Sequence, residues 1–71
     1  MEMKKEIVDE VERLAERYLY LKENCGVQQS GLDEKKMFDT AWIKRVCQEE
    51  GYDPKPYLNH YEEKINGNPN N

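Results

Sequence analysis

The segment IVDEVERLAERYLYL, residues 7–21, carries the clearest periodic signal in the chain. Its apolar side chains, with the cysteine that follows, recur at spacings of four, three, four, three and four residues: Ile7, Val11, Leu14, Tyr18, Leu21 and Cys25. Such spacings keep one stripe of a helix facing its neighbours, and Val8 and Ala15 widen this stripe on one flank. The pattern predicts a long first helix over Glu2 to Asn24, with Gly26 ending it.

A second helical region is expected from about Asp33 to Gly51. The pair Asp39-Thr40 can act as a further N-cap, so that a short turn carrying Met37 and Phe38 precedes the main helix. One continuous helix is the competing interpretation. The apolar face of the main helix is predicted to consist of Trp42, Ile43, Val46 and Cys47.

The third helix is expected to start with Asp53 as its N-cap and Pro54 as its first residue, and to stop before Gly67. One face of it carries Tyr57, Leu58, Tyr61 and Ile65 at helical spacing. The predicted fold is therefore an all-α, small three-helix bundle in which a long N-terminal helix precedes two shorter ones. A single domain is expected over residues 1–66, with residues 67–71 as a disordered tail.

Charge and hydropathy restrict the classes of function. The 71 residues contain 15 acids and 11 Lys or Arg, a net charge of -4, and this balance opposes nonspecific binding to phosphates or anionic membranes. No apolar run approaches the roughly 18 to 20 residues that cross a bilayer, and the N-terminus lacks the apolar core of a signal peptide. Cys25 and Cys47 have no CxxC spacing and are expected to be reduced thiols. We expect a cytoplasmic protein that does not bind membranes.

The residue types that carry catalysis or bind metals are sparse. His60 is the only histidine, and no motif places a nucleophile beside it, so its ring is expected to face solvent. Cys25, Cys47 and His60 are scattered and fall short of the four ligands of a structural zinc site. No glycine-rich phosphate loop is present. The sequence therefore predicts neither an enzyme nor a cofactor or metal site.

A chain this short gains only about 3 to 5 kcal/mol from one core, and its supply of apolar and aromatic residues exceeds what that core needs. Tyr18, Trp42 and Tyr61 are expected to fill the core, whereas the surplus predicts a protein-protein interaction module such as an inhibitor, adaptor or assembly factor. The contact residues predicted are Leu19, Tyr20 and Tyr52, together with an acidic ridge for a basic partner surface made of Glu6, Asp9, Glu10 and Glu12. A homodimer through the first helix is a further possibility, whereas packing of its stripe inside the monomer is the simpler alternative.

DNA binding is the second hypothesis. The residues Gly51-Tyr52-Asp53, Tyr57-Leu58 and Tyr61-Glu62 resemble the turn and recognition helix of phage-repressor-type regulators over roughly a third of the chain. The resemblance implies a helix-turn-helix, although Pro54 and Pro56 depart from the pattern. The side chains available for phosphates and bases in this region are Lys35, Lys36, Lys44, Arg45, Lys55, Asn59 and His60.

Overall fold

Three helices make up the computed structural model, which describes residues 3–67: α1 (Lys5–Asn24), α2 (Gln29–Glu50) and α3 (Lys55–Ile65). No strand occurs within this range. The predicted all-α three-helix bundle with a long first helix is confirmed. Most of the predicted C-terminal tail, residues 68–71, lies outside the described residues.

Helix α1 starts later than its periodicity predicts. Lys4 has an extended backbone, φ -69° and ψ 126°, and its backbone N–H donates a hydrogen bond to the Tyr57 hydroxyl at 2.7 Å. This contact with α3 satisfies a donor that the first turn of a helix leaves without an intrahelical partner. At the other end, Gly26 has φ 63° and the Val27 amide donates to the Leu21 carbonyl, which confirms the predicted stop.

Helix α2 is one continuous helix of 22 residues, so it is slightly longer than the 20-residue α1. The predicted interruption at Asp39-Thr40 is wrong, and so is the start near Asp33. Gln29 donates from its side chain to Asp33 at 2.8 Å within the first turn, which supports a helix that begins four residues earlier. Asp39 caps no helix because its carboxylate is buried and bonded elsewhere, to Lys35 and Tyr61.

The α2–α3 connection follows the prediction closely. Gly51 has φ 82°, the left-handed conformation that ends a helix, and the Tyr52 amide donates to the Cys47 carbonyl at 2.7 Å. Asp53 accepts the Lys55 amide at 3.1 Å, but α3 begins at Lys55 with Pro54 as its N-cap, so the N-cap lies one residue later than predicted.

The core lies where α1 meets α3 and α2. Ten of its members are buried: Ile7, Val11, Ala15, Tyr18, Leu32, Ile43, Cys47, Tyr57, Tyr61 and Ile65. The predicted placement of Tyr18 and Tyr61 is confirmed. Leu14 and Leu21 of the first helix are partly buried against this core. The stripe on α1 is therefore largely used inside the monomer, and a second copy could reach its buried members only if the bundle opened.

Candidate interaction surface

An open groove runs between α1 and α2 and has a volume of about 550 Å³. Leu14 forms part of its α1 wall, and Phe38, Ala41 and Trp42 form much of its α2 wall. Glu10 and Arg45 add charges of opposite sign to its lining. The groove thus combines an apolar floor with a polar edge, which is the anatomy of many protein contact surfaces.

The exposed apolar surface continues beyond the groove around α2. Phe38 is 65% exposed, Met37 61% and Trp42 39%, and Ala41 is exposed between them. These four residues, which we call the α2 apolar face, occupy two successive turns because residues three and four apart are neighbours on a helix. Single exposed apolar residues are ordinary, but a contiguous set of this size marks a contact site more often than chance.

The prediction that Trp42 belongs to the core is wrong. Ile43, the next residue, is fully buried, and a helix turns by about 100° per residue, so Trp42 points along the flank of α2 toward α1. Tyr57 and Tyr61 of α3 are buried in the core instead. The bundle therefore completes its interior without its only tryptophan.

The α2 apolar face is not among the sequence-based predictions, which place Met37 and Phe38 in a short turn. A signal was nevertheless present in the sequence. Leu32, Asp39, Ile43 and Cys47 form the buried stripe of α2, and a second stripe of Phe38, Ala41 and Trp42 is out of phase with it. Two apolar stripes on one helix indicate that one side packs inside the bundle and that the other side is available for a contact with another molecule.

The predicted contact residues on α1 and the following loops do not lie on one surface. Tyr20 is 59% exposed and projects away from the buried stripe, as expected for an exposed ring. Leu19 is half-buried and packs on the core. Tyr52 is also half-buried, with its ring edge-on to Tyr57 at a centroid distance of 6.3 Å.

The residues of the predicted acidic ridge have different surroundings on α1. Glu6 and Asp9 are exposed, whereas Glu10 lines the groove and contacts Arg13 at 3.3 Å. Glu12 contacts the His60 ring nitrogen of α3 at 2.9 Å, so the expectation of a solvent-facing His60 is wrong. Glu6, Asp9 and Glu10 are three or four residues apart and share one side of α1, whereas Glu12 is turned toward α3.

Several of the residues suggested for DNA contacts have carboxylate partners. Lys35 contacts Asp39 at 2.7 Å, Lys36 contacts Glu62 at 2.9 Å and Arg45 contacts Glu49 at 3.6 Å. His60 is held by Glu12. Lys44, Lys55 and Asn59 are exposed. Phosphate binding would compete with these pairs, which reduces the positive charge that the region offers to DNA.

A buried polar cluster lies directly behind the α2 apolar face. Asp39 is 6% exposed and accepts hydrogen bonds of 2.7 Å from the Tyr61 hydroxyl and from the Lys35 ammonium. Burial, and then the hydrogen bond to Asp39, raise the pKa of the Tyr61 phenol above its usual range. The cluster joins α2 to α3 and fixes the rotation of α2, which decides the side chains that face outward.

The two cysteines differ in environment. Cys25 is an exposed free thiol just after α1, and Cys47 is a buried free thiol in the core. Burial is the main cause that raises the pKa of the Cys47 thiol, with a smaller effect from Asp53. Cys47 therefore behaves as a small apolar side chain.

The described part of the chain was also compared with the requirements of metal sites and of membrane-spanning helices. Between residues 3 and 67, no three His, Cys, Asp or Glu side chains are grouped so that they could hold a metal ion. Over the same range, no helix has an apolar stretch long enough to cross a bilayer. Comparisons of the chain with protein-family models, with curated proteins and with solved structures found no match.

Proposed function

We propose that this chain is a non-catalytic helical interaction module that binds a protein through the α2 apolar face and the adjoining groove. Adaptor, inhibitor and assembly factor are all roles of this kind. The observation that carries the proposal is the exposure of Phe38 and Met37, 65% and 61%, next to the partly exposed Trp42 on the same helix. A cytoplasmic setting is part of the proposal and suits two free thiols.

The type of surface fits protein contacts better than it fits a small ligand. The groove is open along one side, and its aromatic rings stand beside charged side chains instead of closing over a cavity. Small-molecule sites usually bury most of the ligand surface, whereas a helix of a partner needs only one apolar trough with a polar edge. Phe38 and Trp42 would supply the aromatic anchors that dominate such contacts.

The supply of positive charge does not favour the DNA hypothesis. Net charge is -4, and Lys35 and Lys36 already contact carboxylates. Within the described residues, no contact indicates that α3 is a DNA recognition helix. We therefore propose no second function.

The proposal predicts that Phe38→Glu abolishes partner binding while the fold survives, because Phe38 contributes little to the core. The matched control is Tyr20→Glu, which places the same charge at a ring that is 59% exposed on α1. Each purified protein is immobilised, and proteins captured from the native host are compared by mass spectrometry. Far-UV circular dichroism verifies that both variants are helical.

The expected result is that partners retained by the wild type and by Tyr20→Glu are lost from Phe38→Glu. Trp42, the only tryptophan, provides an independent readout, since its fluorescence should shift to shorter wavelength when a captured protein covers it. A Phe38→Glu variant that keeps the same partners with undiminished affinity would show that the contact lies elsewhere.

A further inference from the structure

The outer side of α2 has a central stripe with a simple order of side chains. Glu34, Phe38, Ala41 and Arg45 follow one another at spacings of four, three and four residues, and all four are exposed. Such spacings place them on one line along the helix. Met37 flanks the stripe on one side and Trp42 on the other. An acid thus stands at one end, a base at the other and apolar residues between them.

We propose that a second copy of this chain covers the α2 apolar face, with the two α2 helices packed antiparallel about a twofold axis. Along the length of α2, the axis lies level with the midpoint between Asp39 and Thr40, on the side of the helix that carries the α2 apolar face. This inference rests on the proposed function, because it names the partner of the same surface. A twofold contact uses one patch on both copies, and the patch must therefore be complementary to itself.

The order of charges fits the antiparallel arrangement. About that axis, Glu34 of one copy stands opposite Arg45 of the other, and the pair occurs twice. A parallel arrangement would place Glu34 beside Glu34 and Arg45 beside Arg45, which is repulsive. Arg45 contacts Glu49 at 3.6 Å in the monomer, and both side chains are more than 60% exposed, so this pair is readily exchanged for a new one.

Side-chain sizes fit the same axis. Phe38 of one copy lies at the level of Ala41 of the other, so that a large ring meets a small methyl group in each layer. Alternation of large and small residues lets two helices approach closely without voids. Trp42 of both copies then lies at one edge of the pair and Met37 of both copies at the other.

The charge of the surface favours a second copy over a basic partner. The central stripe itself carries one acid, Glu34, and one base, Arg45, and both are exposed. Their charges cancel, so the stripe has no net negative charge that would select a basic partner. Screening at physiological salt further weakens repulsion between charges that are more than about 8 Å apart.

Disulfide trapping tests both the contact and its direction. The single variants Glu34→Cys and Arg45→Cys are prepared with Cys25→Ser, which removes the exposed native thiol, while the buried Cys47 is retained. Under mild oxidation, we expect covalent dimers in an equimolar mixture of the two variants and none in either variant alone. Dimers from the single variants alone would overturn the antiparallel assignment.

Mass measurement by light scattering over a dilution series tests whether the pair forms without a covalent link. The wild type should approach twice its 8.5 kDa mass as concentration rises, and Phe38→Glu should remain monomeric. Glu34→Arg and Arg45→Glu should each weaken the dimer by about tenfold, and the double reversal should restore it.

A wild type that stays monomeric at every concentration would overturn the self-association inference. If Phe38→Glu nevertheless lost a host partner that Tyr20→Glu retained, the proposed function would stand and only the identity of the partner would be wrong. If the wild type stayed monomeric and Phe38→Glu also kept every host partner, the proposed function would be wrong as well.

Discussion

Asp39 is the residue on which the orientation of α2 depends. It is a buried carboxylate with a hydroxyl and an ammonium as hydrogen-bond donors, each at 2.7 Å. Burying a charge is costly unless such partners replace water. Because Tyr61 lies on α3 and Lys35 on α2, the cluster stabilises one rotation of α2 against the bundle. In that rotation Phe38 faces solvent.

Removal of the Tyr61 hydroxyl tests this cluster at the scale of one atom. Tyr61→Phe should lower the free energy of unfolding by about 1–3 kcal/mol at neutral pH, since the buried Asp39 carboxylate loses a donor. In an Asp39→Ala background, Tyr61→Phe should lower the free energy of unfolding much less, because the Tyr61 hydroxyl then has no carboxylate to which it can donate a hydrogen bond. Urea denaturation followed by circular dichroism measures both values. Equal costs in the two backgrounds would show that the bond contributes nothing.

The raised pKa of Tyr61 also predicts how stability depends on pH. The folded protein keeps the phenolic proton to higher pH than the unfolded chain, in which tyrosine titrates near pH 10. This stabilisation is therefore complete below about pH 10 and is lost above it, by up to about 1.4 kcal/mol per pH unit. In the same urea experiment, Tyr61→Phe should show a shallower decline above pH 10 than the wild type. Parallel curves would contradict the assignment.

At the scale of the element, α2 differs from its neighbours because it has apolar residues on two sides. The inner stripe of Leu32, Ile43 and Cys47 packs against the rest of the bundle, and the outer one remains open. Helix α1 instead has one buried stripe and, apart from the exposed Tyr20, a largely polar exterior. Burial of one stripe suffices to hold a helix in a bundle, and the second stripe on α2, in which Trp42 is only partly covered, is left largely exposed in the monomer.

The stop of α2 at Gly51 determines how α3 folds back. Gly51 has φ 82°, and a Cβ added there would have no atom within 4 Å. A side chain at this position would therefore destabilise the fold only through its unfavourable backbone conformation. Gly51→Ala should therefore destabilise the protein by about 1–2 kcal/mol, the penalty for an L-residue in the left-handed region. Gly51→Asn should cost less, because asparagine tolerates this conformation. Thermal unfolding of both variants gives the comparison, and an unchanged midpoint for Gly51→Ala would refute the argument.

Charge is a property of the whole molecule, and the excess of acids opposes phosphate binding. The net charge is -4, and the ion pair between Lys36 of α2 and Glu62 of α3 neutralises part of the positive charge near α3. We expect no retardation of a generic DNA duplex at low salt, where phosphate contacts are strongest. Binding that weakens with added salt and with Lys44→Glu or Lys55→Glu would contradict this expectation and favour the helix-turn-helix hypothesis.

The sequence by itself determined the number of helices, the glycine stops at Gly26 and Gly51, and most of the core, because periodicity and turn chemistry are local properties. Only the tertiary structure decided that Asp39 is a buried acceptor and that α2 continues through it, since its partner Tyr61 lies 22 residues away. The same contact decides that Trp42 and Phe38 are left outside. Local propensity contains no information on which of two apolar stripes will meet the rest of the chain, and packing makes that choice.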